Sequence, residues 1–459
     1  MAEAAEAHLR PVSSVHIVGA GGAGMSGLAK LLSQMGHVVT GSDLKPSRLL
    51  DSLEDLGIET WVGHRPERMP ASDLVVASSA VPASDLELAA AAGAGVTVWS
   101  RPDLLDAITA DQPAIGFAGT HGKTTSTALA VTALRAAGYD PTFLVGGEMV
   151  ALNTGAHLGT DNTFVIEADE AYGTFRRLHL GGLAVTNIEA DHLDYYGSVA
   201  ALEEAFSLVA NRVAGPVVGC IDDDGVRRLA QRADIVGFGL SPDAEWRITD
   251  LRHSAEGVDF QLSWRDGATD VRVPRPGVHV AIDAAGALAL LGELGYDVAT
   301  AAEGLRSFAG VRRRFDIKAR LGGVTIVDDY AHHPTEVAAT IAAGRLGGWE
   351  RVWAIFQPHR YTRTSQLAPL FGSPLAEADR VVVTDVYAAG EAPQPGVTGR
   401  LIAEAVAAAG GDVAYIPLLA DVPGRIGDEL SDGDLVLLLG AGDVHSLADS
   451  LAELLAVRP

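Results

Sequence analysis

Ala114-Ile115-Gly116-Phe117-Ala118 and the loop after it, Gly119-Thr120-His121-Gly122-Lys123-Thr124-Thr125, decide how the rest of the chain is read. A short apolar run passes into a glycine turn and then into the helical pattern Thr124–Ala137. A strand feeding a helix through such a turn presents backbone N–H groups where phosphate oxygens bind. The lysine of such a loop meets β- and γ-phosphate oxygens, and its first threonine ligates Mg²⁺. The usual loop carries a glycine where this chain has Phe117, so this one is a variant.

The same theme recurs on both sides. Val15–Val18 runs into a glycine turn and the helical Met25–Met35. Phe164–Ala168 and Ala184–Ile188 are apolar runs that end in acids. Val324–Val327, Val352–Phe356, Val381–Thr384 and Leu435–Leu439 repeat the pattern. Strands alternating with helical segments predict an α/β protein with doubly wound parallel sheets, whose ligands bind beyond the carboxyl ends of the strands. Residues about 235–275 differ. Trp246-Arg247-Ile248, Val258–Leu262 and Val271-Arg272-Val273 alternate with period two, which predicts an antiparallel hairpin region. The 459 residues predict roughly three domains, with breaks near Thr109–Gln112 and Gly310–Arg314.

Composition narrows the function. With 34 basic and 59 acidic residues the formal charge is −25. That argues against a nucleic-acid binder and against docking on an anionic membrane face. No apolar run reaches about 18 residues, so no transmembrane helix is expected. Met1–Glu6 carries acid where a signal peptide has a basic region. The single cysteine, Cys220, forms no internal disulfide. The chain reads as a soluble cytoplasmic protein.

Gly19-Ala20-Gly21-Gly22-Ala23-Gly24 fits G-x-G-x-x-G between a strand and a helix, a site for a nucleotide diphosphate. Asp43, after a second strand at His37–Thr40, is placed for a ribose hydroxyl. Alone this favours a nicotinamide or flavin cofactor, but a simple dehydrogenase leaves Gly119–Thr125 without a task. Glu167-Ala168-Asp169-Glu170 and Glu189-Ala190-Asp191-His192 supply carboxylates and an imidazole suited to Mg²⁺ on phosphates. In Asp328-Asp329-Tyr330-Ala331-His332-His333-Pro334-Thr335-Glu336, Pro334 fits a first helical position and leaves the histidines in a ligand-facing turn. Adjacent histidines allow a zinc pair, but no third ligand stands at metal spacing, and substrate or nucleotide contact is favoured. Arg360 and Arg363, in Gln357–Arg363, suit a carboxylate or phosphate.

Together these residues resemble the Mur ligases. The motifs are His16–Met25, Gly119–Thr125, Thr186–His192, Arg313-Arg314-Phe315, Asp328–Glu336, Phe356–Thr364 and Tyr387–Pro393, and the match runs from His16 to Gly440-Ala441-Gly442-Asp443. The resemblance implies three domains. These are a Rossmann-like one for a UDP-sugar (1–110), a central P-loop ATPase-like one for ATP with a small antiparallel sheet (111–312), and a Rossmann-like one for an amino acid (313–459). It implies ATP contacts at Gly119, Thr120, His121, Gly122, Lys123, Thr124, Thr125, Arg314 and Asp329. Two Mg²⁺ ions are implied, one on Thr124 and Glu167 and one on His192; with Lys123 these are the implied catalytic residues. UDP-sugar contacts are implied at Gly19, Gly21, Gly22, Gly24, Met25, Asp43 and Asn187, and amino-acid contacts at Tyr330, His359, Arg360 and Arg363. The implied reaction belongs to peptidoglycan precursor synthesis. The lactyl carboxylate of UDP-N-acetylmuramate takes the γ-phosphate of ATP, and L-alanine displaces phosphate from the acyl phosphate. Candidate bases for the amine are His332, His333 and His359, and a monomer or weak homodimer is expected.

Two stretches depart from the family pattern. Ala171-Tyr172-Gly173-Thr174-Phe175 replaces a Ser-Asp continuation, and Val280 and Asp283 stand where the family has two asparagines. Valine cannot hydrogen-bond adenine, and an ionised aspartate only accepts. The rival readings are a recycling ligase that adds a tripeptide to the same UDP-sugar, and a non-catalytic nucleotide-binding regulator.

Overall fold

The computed structural model describes Leu9 and residues 12–456; the acidic start at Met1–Glu6 lies outside the described residues. Three sheets organise the chain. The first contains β1 (Ser14–Val18), β2 (Val38–Asp43), β3 (Glu59–Val62), β4 (Leu74–Ala77) and β5 (Thr97–Ser100), all parallel, in the order β3-β2-β1-β4-β5. Val15, Ile17, Val75 and Val76 are buried, so these strands read as apolar runs with helices on both faces. Strand order reverses at β1, which opens a crevice at its carboxyl end, and Gly19–Gly24 occupies that end.

The second sheet holds β6 (Ala114–Ala118), β7 (Thr142–Met149), β8 (Thr154–His157), β9 (Phe164–Glu167), β10 (Leu180–Val185), β11 (Val217–Cys220), β12 (Val236–Gly239), β13 (Trp246–Ser254), β14 (Gly257–Trp264) and β15 (Gly267–Val273). Its order is β15-β14-β13-β12-β11-β10-β6-β9-β7-β8. Here the order reverses at β6, which pairs in parallel with both β10 and β9. The expected antiparallel region starts later than 235, because β12 is parallel to both β11 and β13. Connections of two residues join β13 to β14 and β14 to β15, which only antiparallel neighbours allow. These strands extend the main sheet through the pair Phe238–Trp246 and do not form a separate small sheet. The apolar run placed at Ala184–Ile188 also shifts, since β10 ends at Val185 and Thr186 and Asn187 turn their side chains to the phosphate loop.

The third sheet comprises β16 (Asp316–Leu321), β17 (Val324–Asp329), β18 (Arg351–Phe356), β19 (Arg380–Val383), β20 (Val413–Tyr415) and β21 (Asp434–Leu439), in the order β16-β17-β21-β18-β19-β20. Only β16 runs antiparallel. Its two faces bury separate apolar clusters, one around Val327, Val337 and Leu437 and one around Ile326, Leu438 and Leu451.

The chain divides into two compact units. One runs up to Thr249 and adds Gln261–Val271 and Ile282–Phe308; the other takes Asp250–Phe260, Arg272–Ala281 and the chain from Ala309. In the first unit the helix Ala23–Gln34 sets Leu28 and Leu31 into a core shared with Leu144 and Ala156 of β7 and β8. Gly27 permits that approach, since a Cβ there would stand 2.8 Å from Leu144 Cδ1. Lys30 Nζ donates to Thr154 Oγ1 at 2.7 Å across the same seam. No helix among the described residues is long and apolar enough to cross a membrane.

Candidate active site

The phosphate loop leaves the buried strand β6 and closes on the helix Lys123–Ala136, with Gly122 as N-cap at φ 83°. Only glycine fits there, because any Cβ would collide with the Asp283 carboxylate as well as strain the backbone. Asp283, expected near adenine, therefore sits against the loop itself, while Val280 is buried in the other unit. Asn187 braces the loop by accepting from His121 N–H at 2.8 Å and donating to His121 C=O at 3.2 Å. Thr186 donates to the same carbonyl. The Thr120 hydroxyl accepts from Glu189 N–H at 2.9 Å. Asn187, read from the sequence as a sugar-nucleotide contact, thus has both ends of its amide on the phosphate loop.

Lys123 Nζ lies 2.9 Å from each Glu170 oxygen, 3.6 Å from Asp169, and donates to Gly119 C=O at 2.7 Å. Burial works against its charge, but Glu170, Asp169 and Glu167 outweigh that and hold its pKa above the ordinary lysine value. Burial likewise pushes the Asp169 carboxyl up, and Lys123, Arg101 and His192 more than reverse it. Glu167 ends β9 and is pinned by Gly146 N–H, which donates to Oε1 at 2.7 Å. His192 caps the short helix Leu193–Tyr196 from a left-handed backbone, with Nε2 3.9 Å from Glu170 and 3.8 Å from Asp191. The structure brings the acid cluster Glu167–Glu170 to the lysine, with Glu170, given no role of its own in the sequence reading, as its nearest partner.

Three carboxylates around one ammonium form a poor receptor for a bare polyphosphate. The donor set of Thr124 hydroxyl, hard carboxylate oxygens and the His192 imidazole suits a small divalent cation that would arrive with the nucleotide. The departure at Ala171–Phe175 puts Tyr172 in a left-handed conformation, its ring 6.1 Å from Tyr195. Tyr195 stands edge-on to Tyr196, whose hydroxyl donates to Glu170 C=O at 2.6 Å. The lost hydroxyl and carboxylate are replaced by an aromatic patch beside the acids.

In the first sheet, Asp43 Oδ2 accepts from Gly21 N–H at 2.9 Å and Oδ1 from Lys45 N–H at 3.2 Å. Asp43 thus shapes the first glycine turn, a task the sequence did not reveal. The helix behind that turn has Gly22 as N-cap, no capping side chain and no acid in its first turn, which leaves its positive end open to an anion.

The second unit gathers a different set. Asp329 ends β17 and accepts from Phe315 N–H at 2.7 Å and Ala331 N–H at 2.8 Å. Burial raises its pKa, with Arg314 pulling the other way. Arg313 and Arg314 stack over Tyr330 at 4.9 and 5.3 Å. His332 packs edge-on to His359 at 5.7 Å, and His359 stacks on Tyr387. Arg363 Nη1 is 3.4 Å from His359 Nδ1, and Arg360 follows at φ 69°. Burial and the neighbouring His332, Arg363, Arg360 and Arg313 lower the His359 pKa to about 3. A neutral imidazole ringed by guanidinium groups suits a carboxylate ligand. Tyr330, His359 and Arg363 are thus brought together, with Arg360 next in line.

Known proteins resemble this chain along almost its whole length. Residues 14–113 match the Mur ligase family catalytic domain, 117–291 the Mur ligase middle domain, and 313–442 the Mur ligase glutamate ligase domain. A UDP-N-acetylmuramate–L-alanine ligase of Kineococcus radiotolerans is 43% identical over 457 residues, which covers 97% of this chain and 96% of that one. The crystal structure of UDP-N-acetylmuramate-alanine ligase from Thermotoga maritima superposes with a TM-score of 0.82 at 28% identity, covering 96% of this chain and 98% of that one. A murein peptide ligase from Psychrobacter arcticus shares the fold at a TM-score of 0.73 and 23% identity, covering 97% and 99%. With matching domains along almost its whole length and a relative so similar from end to end, the chain belongs to the Mur ligase family.

Proposed function

We propose that this protein joins L-alanine to the lactyl carboxylate of UDP-N-acetylmuramate at the expense of ATP, in peptidoglycan precursor synthesis. The observation that carries the reading is the braced phosphate loop whose lysine is ringed by Glu167, Asp169 and Glu170. A carboxylate oxygen of the sugar attacks the γ-phosphorus, the bond to ADP breaks, and an acyl phosphate forms. The alanine amine then attacks the acyl carbon, inorganic phosphate leaves, and the nitrogen gives up its proton. Two anions meet in the first step, so Lys123 and the loop N–H groups of Gly119–Thr125 neutralise charge on the transferred group. Thr124, Glu167 and His192 would hold Mg²⁺, which supplies further neutralisation of the phosphate oxygens when bound.

The first sheet would take the UDP-sugar at Gly19, Gly21, Gly22, Gly24 and Met25, with Asp43 holding the turn in shape. The third sheet would take the amino acid among Tyr330, His359, Arg360 and Arg363, and Arg314 and Asp329 would complete the nucleotide site. The boundaries that go with this assignment are 1–110, 111–312 and 313–459. A cytoplasmic location and a monomer or weak homodimer fit substrates of this kind.

The test is phosphate release from ATP and Mg²⁺ with UDP-N-acetylmuramate, comparing L-alanine, glycine, L-serine and the tripeptide. Release with L-alanine and a product of matching mass is expected. Release with the tripeptide alone would move the protein to the recycling reaction. No release from a protein that still binds the UDP-sugar would leave it a nucleotide-binding regulator.

A further inference from the structure

Arg101 belongs to no motif of the sequence, and its place in the first unit is unusual. It is the first residue of the helix Arg101–Asp111, whose N-terminus is fixed by a capping box between Ser100 and Asp103. Its guanidinium lies flat against Gly24 of the first glycine turn, where a Cβ would stand 3.2 Å from Cζ and 3.3 Å from Nη2. Its Nε is buried with no hydrogen-bond partner. Its charge also favours the ionised form of Asp169, whose carboxylate lies 3.6 Å from Lys123 Nζ. Arg101 thus stands beside the turn that would hold a diphosphate and within electrostatic reach of the loop that would transfer a phosphoryl group.

A buried donor left unpaired costs about 1–3 kcal/mol, which an anionic ligand pairing with Nε would recover. A guanidinium offers a planar fork that fits phosphate and carboxylate oxygens in pairs. Electrostatics calls for a cation at this place. The reacting carboxylate of the sugar must approach a triphosphate beside Glu167, Asp169 and Glu170, and the backbone of the first turn supplies only partial charges.

We propose that Arg101 binds substrate, its guanidinium taking an oxyanion of the sugar nucleotide beside Gly24 of the first glycine turn. The inference rests on the ligase reading above and names a residue of that site. Two groups of the same ligand carry this chemistry, the diphosphate and the lactyl carboxylate, and they can be told apart.

The experiment compares full-length wild type, Arg101→Ala and Arg101→Lys in direct binding and in steady-state kinetics. The probes are UDP-N-acetylmuramate, UDP-N-acetylglucosamine, which has the diphosphate but no lactyl group, and a non-hydrolysable ATP analogue with Mg²⁺. Loss of a charge-assisted pair should weaken UDP-N-acetylmuramate on the order of tenfold or more in Arg101→Ala. Arg101→Lys should recover part of this, and the nucleotide analogue should change by no more than about twofold. KM for the sugar nucleotide should rise while that for ATP stays. Equal losses for both sugars assign Arg101 to the diphosphate, and loss confined to UDP-N-acetylmuramate assigns it to the carboxylate; either outcome supports the proposal. Unchanged sugar binding in Arg101→Ala overturns it. So does a matching loss of nucleotide binding and thermal stability in both variants, which would make Arg101 a structural link between Gly24 and Asp169. Wild type that binds no UDP-N-acetylmuramate would overturn the ligase reading itself, before any variant is measured.

Discussion

The polar cluster at the ends of β6 and β9 and the one at the ends of β17 and β18 are both strand-to-helix turns in parallel sheets, yet the central group of each feels charge of opposite sign. Around Lys123 stand Glu167, Asp169 and Glu170, and the lysine is held protonated. Around His359 stand Arg313, Arg360 and Arg363, and the imidazole is held neutral. An acid-rich turn with hard oxygen ligands receives a polyphosphate only with divalent cations, whereas a guanidinium-rich turn receives a carboxylate directly. The charge that surrounds the central group, and not the fold, separates the two clusters in this comparison.

The largest expected break comes from Lys123→Met. Turnover should fall roughly a thousandfold or more, as when a transition-state charge contact is removed. Binding of UDP-N-acetylmuramate should stay within about twofold. Glu170, 1% exposed, would lose its nearest cation and keep only His192 at 3.9 Å, and burial already raises its pKa, so urea unfolding should show a loss of about 1–3 kcal/mol. Adding Glu170→Gln should restore much of that stability and none of the turnover. Loss of sugar binding in the stabilised double variant would contradict the division between the two glycine loops.

Arg360→Ala tests the opposite cluster. The KM for L-alanine should rise about tenfold to a hundredfold, the scale of a lost charge-assisted pair, with little change for ATP. Equal effects on both substrates would remove Arg360 from the carboxylate site. Asn187→Ala should have a smaller effect, an approximately fivefold rise in the KM for ATP from the lost brace on His121. A rise confined to the sugar nucleotide would instead favour the contact expected from the sequence.

The smallest effect concerns pH. His359 titrates near 3 when folded against an ordinary 6.5, so the unfolded chain takes up a proton that the folded one refuses. Stability is therefore full above pH 6.5 and declines as pH falls from 6.5 toward 3. Asp328 shifts the other way, raised to about 6 by burial despite Arg313, so its contribution is full below 3.8 and is lost as pH rises through 6. Melting temperature against pH should flatten on the acid side in His359→Asn. Asp328→Asn should gain stability over wild type above pH 6 and none below 4. Identical profiles for all three proteins would show that neither site titrates as its surroundings dictate.

Much of this was legible in the sequence because local chemistry dictates it. Parallel strands buried on both faces stand out as apolar runs, and Gly19, Gly119 and Gly122 mark turns that need positive φ. The start of the helix Pro334–Leu346 was readable from Pro334. What was hidden depends on residues far apart in the chain. Asn187 meets His121 across 66 residues, and Glu170 meets Lys123 across 47. Asp43 reaches Gly21 only because β2 pairs beside β1. The junction of β12 with β13 escaped notice because period-two alternation reports which faces are wet and not which neighbour a strand takes.

The chain passes from one compact unit to the other at 249/250, 260/261, 271/272, 281/282 and 308/309. The passages within 246–273 fall inside β13, β14 and β15. During synthesis, then, the first unit lacks two of its pieces until Phe308 has left the ribosome, even though its phosphate loop emerged long before. The first unit is complete only when Ile282–Phe308 has been made, so its last packing contacts form late in synthesis. The same weave means that a fragment beginning at Ala309 lacks Asp250–Phe260 and Arg272–Ala281.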